Sequence, residues 1–351
     1  MKKKRNVLVG LFLVMLTLFA CAEQESEVTL NEEPYQRKEF MMGTYVVLTI
    51  YDEGKEEVLD LAIDRIQELE DKLSMNDADS EVYAINQAAG KEAVQVSEDI
   101  FPLMMKSAEY SETNQDGFDY TIGPIVDLWR IGYDDARKPS QEEIDAVLPL
   151  VDEEAVEINE EDRTVFLEKE GMSMDLGAIA KGFITDEIIK LYEEEGVTTG
   201  SVDLGGNVVI RGDSPSRPEG GWNVGVQDPF SERGGIVGFL NLKNQSIVTS
   251  GIYERYLEVD GEQYHHLLSP ETGYPFDNEI AGVTIISDYS TDGDALSTAV
   301  FSLGLEDGLD YINQEEGLEA IFVTKEKDLY TSDGVTEKFN LSNEEFNWVN
   351  E

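Results

Sequence analysis

The sequence predicts an α+β fold, mixed β-sheets with flanking helices, and two observations carry that prediction. Segments rich in β-branched and aromatic residues are interspersed with stretches whose apolar residues recur every three or four positions. The two kinds do not alternate strictly, which argues against a doubly wound parallel sheet. The chain beyond its N-terminal leader, about 310 residues of domain, is long enough for one large domain or two intimately packed lobes.

The N-terminus has the parts of an export signal. Lys2, Lys3, Lys4 and Arg5 precede an apolar run from Val7 to Ala20, closed by Leu18-Phe19-Ala20-Cys21. The run is too short to cross a bilayer as a helix, which needs roughly 20 residues. A small residue directly before the chain's single cysteine resembles the bacterial lipobox. Residues 1–21 are therefore expected to direct export, with Cys21 carrying a lipid anchor on the outer face of the cell membrane. One cysteine excludes an internal disulfide, so stability must come from an ordinary core. Residues 22–38, mostly polar (AEQESEVTLNEEPYQR from Ala22), read as a flexible spacer, and 39–345 as the functional domain.

Along that domain, Thr44 to Tyr51 reads as a strand. Leu59, Ala62, Ile63, Ile66, Leu69 and Leu73 mark one face of an amphipathic helix. A second helix is predicted near Ile100 to Glu112, and a charged surface excursion after Gly132. Thr164 to Leu167 and Ser201 to Ile210 read as strands. Between them, Asp175 leads into a helix whose Ile184, Ile188, Leu191 and Tyr192 share a face, with Gly196 just past its end. Several short strands follow Trp222, and Asp260-Gly261 between apolar runs predicts a tight hairpin. A helix from about Asp292 to Leu303 precedes a shorter helix and two strands.

The formal charge of −48 excludes electrostatic binding of nucleic acid or of an anionic lipid surface. It also means that an anionic ligand needs a cation placed for it.

Three segments offer chemistry. The chain's two histidines, His265 and His266, are adjacent on the return strand of the Asp260-Gly261 hairpin, so one faces in and the other out. A solvated surface pair is the ordinary reading of that position; the turn-rich loop after them brings a functional pair level with it. Asp294 and Thr298 lie four apart, which on a helix puts a carboxylate and a hydroxyl on one face. Such hard oxygens could share Mg²⁺; equally, they could be a helix-start aspartate and a threonine bonded back to a carbonyl. Asp175 to Gly182 (DLGAIAKG) places small residues and Lys181 at a helix start, an arrangement suited to a phosphate. It is not a P-loop, and close helix packing would also explain its small residues. Gly117 to Pro124 and Gly205-Gly206-Asn207 add tight turns.

Taken in order, these segments resemble the FAD:protein FMN transferase family (ApbE-type lipoproteins). The matching stretches are Met42-Gly43-Thr44, FDYTIGPIVDLW from Phe118, DLGAIAKG from Asp175, DLGGN from Asp203, WNVGVQDP from Trp222, SGIYERY from Ser250, HHLLSPETGYP from His265 and DALSTAVFSLG from Asp294. The resemblance implies an α+β fold with FAD between two lobes. It implies Mg²⁺-dependent transfer of FMN from FAD to a Thr or Ser hydroxyl of an acceptor protein, with release of AMP. Matching positions imply roles: Asp294, Thr298 and the Ala178 carbonyl as Mg²⁺ ligands; Met42, Asn76, Gly117, Phe118, Asp119, Thr121, Asp175, Lys181 and Leu267 as FAD contacts. Lys181 would also stabilise charge in the reaction, and His266 would activate the acceptor hydroxyl. The implied partners are proteins with an FMN-binding domain, above all membrane-associated electron-transfer subunits. Two positions depart from the family pattern. Ser269 stands where many relatives have Asp, and Asn76 where relatives often present an aromatic residue to the flavin. FAD hydrolysis to FMN and AMP, or flavin binding without turnover, are the alternative functions.

Overall fold

In the computed structural model, which describes residues 29–114, 117–217, 219–231, 234–336 and 338–349, the first element is a strand, β1 (Leu30–Met41). The sequence predicts a flexible spacer through residue 38, so the domain begins earlier than expected. What orders these polar residues is backbone pairing: Tyr35 to Met41 run antiparallel to β2 (Thr44–Asp52), residue by residue. An edge strand needs one row of hydrogen bonds and no buried face, so its sequence carries little apolar alternation. The leader, Cys21 and the remaining spacer residues 22–28 lie outside the described residues.

Helix α1 (Glu57–Leu73) buries Leu59, Ala62, Ile66, Leu69 and Leu73, the face its spacing predicts. After α2 (Glu81–Gln87) and β3 (Val94–Gln95) come α3 (Phe101–Thr113) and α4 (Gly123–Trp129). The charged stretch after Gly132 also holds a short helix, α5 (Gln141–Val147), started by a capping box between Ser140 and Glu143. Strands β4 (Val156–Asn159) and β5 (Thr164–Leu167) precede helix α6 (Ala180–Glu194). Two strands, β6 (Gly200–Leu204) and β7 (Asn207–Arg211), share the segment from Ser201 to Ile210 through a turn at Gly205-Gly206.

Strands β8 (Trp222–Gln227), β9 (Ile236–Leu242) and β10 (Ser246–Gly251) follow. The predicted hairpin is present as β11 (Tyr256–Val259) and β12 (Glu262–His265). Its turn residues Asp260 and Gly261 have φ of 55° and 83°, both in the left-handed region that this two-residue loop requires. Then come β13 (Ile280–Ser287), α7 (Ser290–Leu303), α8 (Leu305–Gln314), β14 (Glu319–Thr324), β15 (Asp328–Thr331), β16 (Phe339–Leu341) and β17 (Asn347–Trp348). Phe346 is buried and Trp348 meets the Phe339 ring edge-on at 5.4 Å, so the packed domain runs past residue 345.

A nine-stranded sheet in the order β1-β2-β6-β7-β10-β13-β14-β15-β17 organises the molecule. Its central strands are covered on both faces, and successive residues enter different cores. On β13 and β14, Ile285 and Phe322 join the large core with α1, α6 and α7. Their neighbours Ile286, Ile321 and Val323 join a second core against β8 and β9. A third cluster gathers Trp129, Ile125, Ile144, Tyr264 and Leu268, tying α4 and α5 to the β11–β12 hairpin. The Trp129 indole N–H donates to the Gly273 carbonyl at 2.7 Å. Among the described residues, no helix is long and apolar enough to cross a membrane.

Candidate active site

One cavity of about 1890 Å³ opens where these layers meet. It is floored by the start of α6 and by α7, and walled by the β1–β2 and β6–β7 turns, β8, β10 and the residues around β12. Its volume exceeds the several hundred Å³ of an ordinary small-ligand site. There is room for a dinucleotide and for part of a second molecule.

The floor depends on one helix end. Asp175 precedes α6, as the sequence suggests, but the small residues of DLGAIAKG enter the helix later than expected, at Ala180. The Asp175 carboxylate accepts the Gly177 N–H at 2.7 Å, and this local turn competes with helix. No side chain of its own segment caps α6. The third amide of the helix, Gly182 N–H, is taken at 2.8 Å by Asp294 Oδ2 from α7. Gly182 cannot carry a side chain here: a Cβ would lie 2.3 Å from the Ser290 carbonyl and 2.7 Å from Asp294 Cβ. The two helices thus touch backbone to backbone, and a 3% exposed carboxylate is held at the floor.

Asp294 Oδ1 lies 3.9 Å from Lys181 Nζ, which also donates to Asn207 Oδ1 at 2.9 Å. One turn along α7, Thr298 lines the same cavity. Its hydroxyl makes no hydrogen bond among the described residues. The back-bonded threonine considered from sequence is therefore not what the structure has; it is Ser297 that donates to the Asp294 carbonyl, at 2.8 Å. Ala178, half-buried, completes this wall. A carboxylate, a hydroxyl and a residue with a peptide carbonyl form a hard-oxygen set that suits Mg²⁺ better than softer metals. Among the described residues, no three His, Cys, Asp or Glu side chains are placed to hold one metal ion together, so water and ligand oxygens would supply most of the coordination.

The histidines separate as their alternation predicts, though neither is a solvated surface residue. His265 is 7% exposed, donates from Nε2 to the Phe276 carbonyl at 2.9 Å and meets the Phe301 ring edge-on. Burial pushes its imidazole down to about 4. His266 lines the cavity. Its Nδ1 donates to the Arg255 carbonyl at 3.2 Å, which leaves Nε2 as the nitrogen with a free lone pair. Burial, and then the positive charge of Arg255, lower this imidazole to about 3. At neutral pH the ring is held in its neutral form.

Met42, Asn76, Gly117, Phe118, Asp119, Asp175, Lys181 and Leu267 all line the cavity. Met42 and Gly43 form the two-residue β1–β2 turn, and the Met42 N–H donates to Glu70 at 2.8 Å. Thr121 is the exception. It is fully buried behind the wall, donates its hydroxyl to Asp119 at 2.6 Å and accepts the Asp152 N–H, so it orients Asp119 and leaves the cavity to it. Burial raises the carboxyls of Asp119 and Asp175 above the usual range. Asn76 donates to the Tyr133 hydroxyl at 3.0 Å, so an aromatic ring stands beside that position after all, delivered from another loop. Ser269 lies outside the cavity lining; its hydroxyl accepts the Thr272 N–H and shapes the turn after β12, a task a carboxylate would perform equally. Sequence reasoning did not single out Glu70 or Tyr133, and it gave Asn207 and Arg255 no role beyond a tight turn and a family-like stretch; all four act across long sequence separations.

The ApbE family model matches residues 42–322 of the chain. An FAD:protein FMN transferase of Klebsiella pneumoniae is 39% identical over 298 residues, 85% of this chain and 92% of that protein. One of Treponema pallidum is 32% identical over 329 residues, covering 89% and 90%. In structure, the chain is similar to the ApbE protein of Thermotoga maritima, with a TM-score of 0.80, 30% identity, and 87% and 99% of the two chains covered.

Proposed function

The chain belongs to the ApbE family, and from that membership we propose that it transfers FMN from FAD to a Ser or Thr hydroxyl of an acceptor protein, releasing AMP. FMN transfer to protein is the activity named for the relatives; the target hydroxyl, Mg²⁺ and AMP are part of the proposal. The observation that carries it is the meeting of Lys181 Nζ, Asp294 Oδ1 and the neutral His266 in one cavity large enough for both reactants.

The chemistry follows from those groups. The acceptor hydroxyl oxygen bonds to the phosphorus on the FMN side of the pyrophosphate. The bond from that phosphorus to the oxygen of the AMP phosphate breaks, and AMP leaves with the electron pair. His266 Nε2 takes the hydroxyl proton, its tautomer fixed by the Arg255 carbonyl. Lys181, held by Asn207, supplies positive charge where negative charge grows. Mg²⁺ bound by Asp294, Thr298 and the Ala178 carbonyl would neutralise phosphate oxygens there. Asp119 and Asp175, which line the same cavity, fit hydrogen-bonding parts of the dinucleotide.

Incubating the protein with FAD, Mg²⁺ and a protein bearing an FMN-binding domain should give a covalently flavinylated product and one AMP per flavin. An acceptor that a known transferase modifies but this protein does not would overturn the proposal. AMP released at the same rate without acceptor would assign hydrolysis instead.

The proposal places the enzyme outside the cell membrane, anchored through Cys21, with electron-transfer subunits of that membrane as acceptors. A Cys21→Ser variant should leave the membrane fraction and flavinylate a purified acceptor at the wild-type rate. Retention of the variant in membranes would remove the anchor from this account.

A further inference from the structure

Among the described residues, Lys181 and Arg255 are the two on the cavity wall that carry a permanent positive charge, and the mechanism above uses the side chain of one. Arg255 precedes β11. Its stem crosses Gly132, where a Cβ would lie 2.9 Å from Arg255 Cδ, and its Nη2 reaches Gly43, where a Cβ would lie 3.2 Å away. Both glycines have left-handed φ, 96° and 68°, so two turns from distant parts of the chain leave a passage for this side chain. The guanidinium makes no ion pair with any described residue. In a chain of charge −48, with Glu70, Asp119, Asp175, Asp203, Glu254 and Asp294 lining the same cavity, that is unusual. An arginine left without a carboxylate partner in such surroundings is available to an anionic ligand.

Its neighbours say where that anion sits. The Arg255 carbonyl accepts both the backbone N–H of His266, at 3.1 Å, and its Nδ1, at 3.2 Å. The positive charge also helps to lower His266 and offsets a small part of the rise that burial imposes on Asp175, which puts the guanidinium within electrostatic reach of both.

We propose that the Arg255 guanidinium binds a phosphate oxygen of FAD, as a second cationic contact beside Lys181, on the side of the dinucleotide that faces His266. This inference rests on the flavin transferase function. The planar fork of arginine suits two phosphate oxygens at once, which lysine cannot match. Because one residue holds the phosphate by its side chain and the imidazole by its carbonyl, it fixes the reacting phosphorus relative to the base.

The test is FAD binding by the full-length protein, followed through flavin fluorescence over a range of ionic strength. Arg255→Met should weaken FAD binding about 10- to 100-fold, the worth of a charge-assisted contact, and flatten its salt dependence. Arg255→Lys should keep most of the salt dependence while recovering part of the affinity. Affinity of Arg255→Met within about twofold of wild type would overturn the proposal. So would a loss with an unchanged salt slope, because a merely structural side chain does not carry the counterion effect. A wild-type protein that binds no FAD would instead overturn the transferase function itself.

Discussion

Replacing Asp294 by Asn is expected to slow FMN transfer by about 10²–10³-fold, the scale at which one preorganised electrostatic group acts. Folding should be little changed. The substitution preserves volume and leaves an amide oxygen to accept the Gly182 N–H, so the cap on α6 survives. What disappears is the negative charge on the oxygen that faces Lys181 and the cavity. The measurement is a time course of acceptor flavinylation beside a denaturant titration, with stability expected within about 1 kcal/mol of wild type. Full activity in the variant would remove Asp294 from the chemistry. Unfolding would mean that its structural role as a cross-helix cap is the larger one.

His266→Gln should lower the transfer rate by about 10²–10⁴-fold, the contribution of a positioned general base, with FAD affinity preserved. The pH dependence of the wild-type enzyme offers a finer check. The imidazole is lowered to about 3 by burial and by the nearby positive charges of Arg255 and Lys181. A lowered value means that the neutral base is the populated form from neutral pH down through the ordinary histidine range, so kcat/KM should show no fall near pH 6.5. FAD brings negative phosphates next to the same cations and offsets their effect on the ring. The value should therefore rise on binding, and the acid limb of kcat should lie at higher pH than that of kcat/KM. An acid limb of kcat/KM at pH 6.5 that His266→Gln abolishes would show instead that the ring is not depressed in the free enzyme.

How much of this was legible in the sequence varies with how local the cause is. The Asp260-Gly261 hairpin is determined by two residues that accept left-handed φ, and it stands where predicted. The face of α1 is set by its own periodicity. Strand β1 was not legible, because an edge strand is made by its partner's backbone and its own residues stay exposed. Asp175 stands before α6 as expected, but Gly177 and Ala178 stay outside the helix because the Asp175 side chain takes the Gly177 N–H, a bond that a helical pattern does not reveal. At the site, Lys181, Asp294, Thr298 and His266 lie in segments whose residue types already suggest chemistry, and the fold brings them to one cavity. Thr121 behaves differently because the bonds that turn it inward come from Asp119 and Asp152, the latter 31 residues away. Arg255 was invisible for the opposite reason. Its distinction is that no described carboxylate forms an ion pair with it, and only the assembled cavity decides that.

The bond from Gly182 to Asp294 also has a consequence in time. An amide proton closed by a buried carboxylate of another helix exchanges with solvent only when the two helices part. The deuterium uptake of that single amide therefore clocks the separation of α6 from α7, and through it the opening of the cavity floor, with no probe attached and no substrate present.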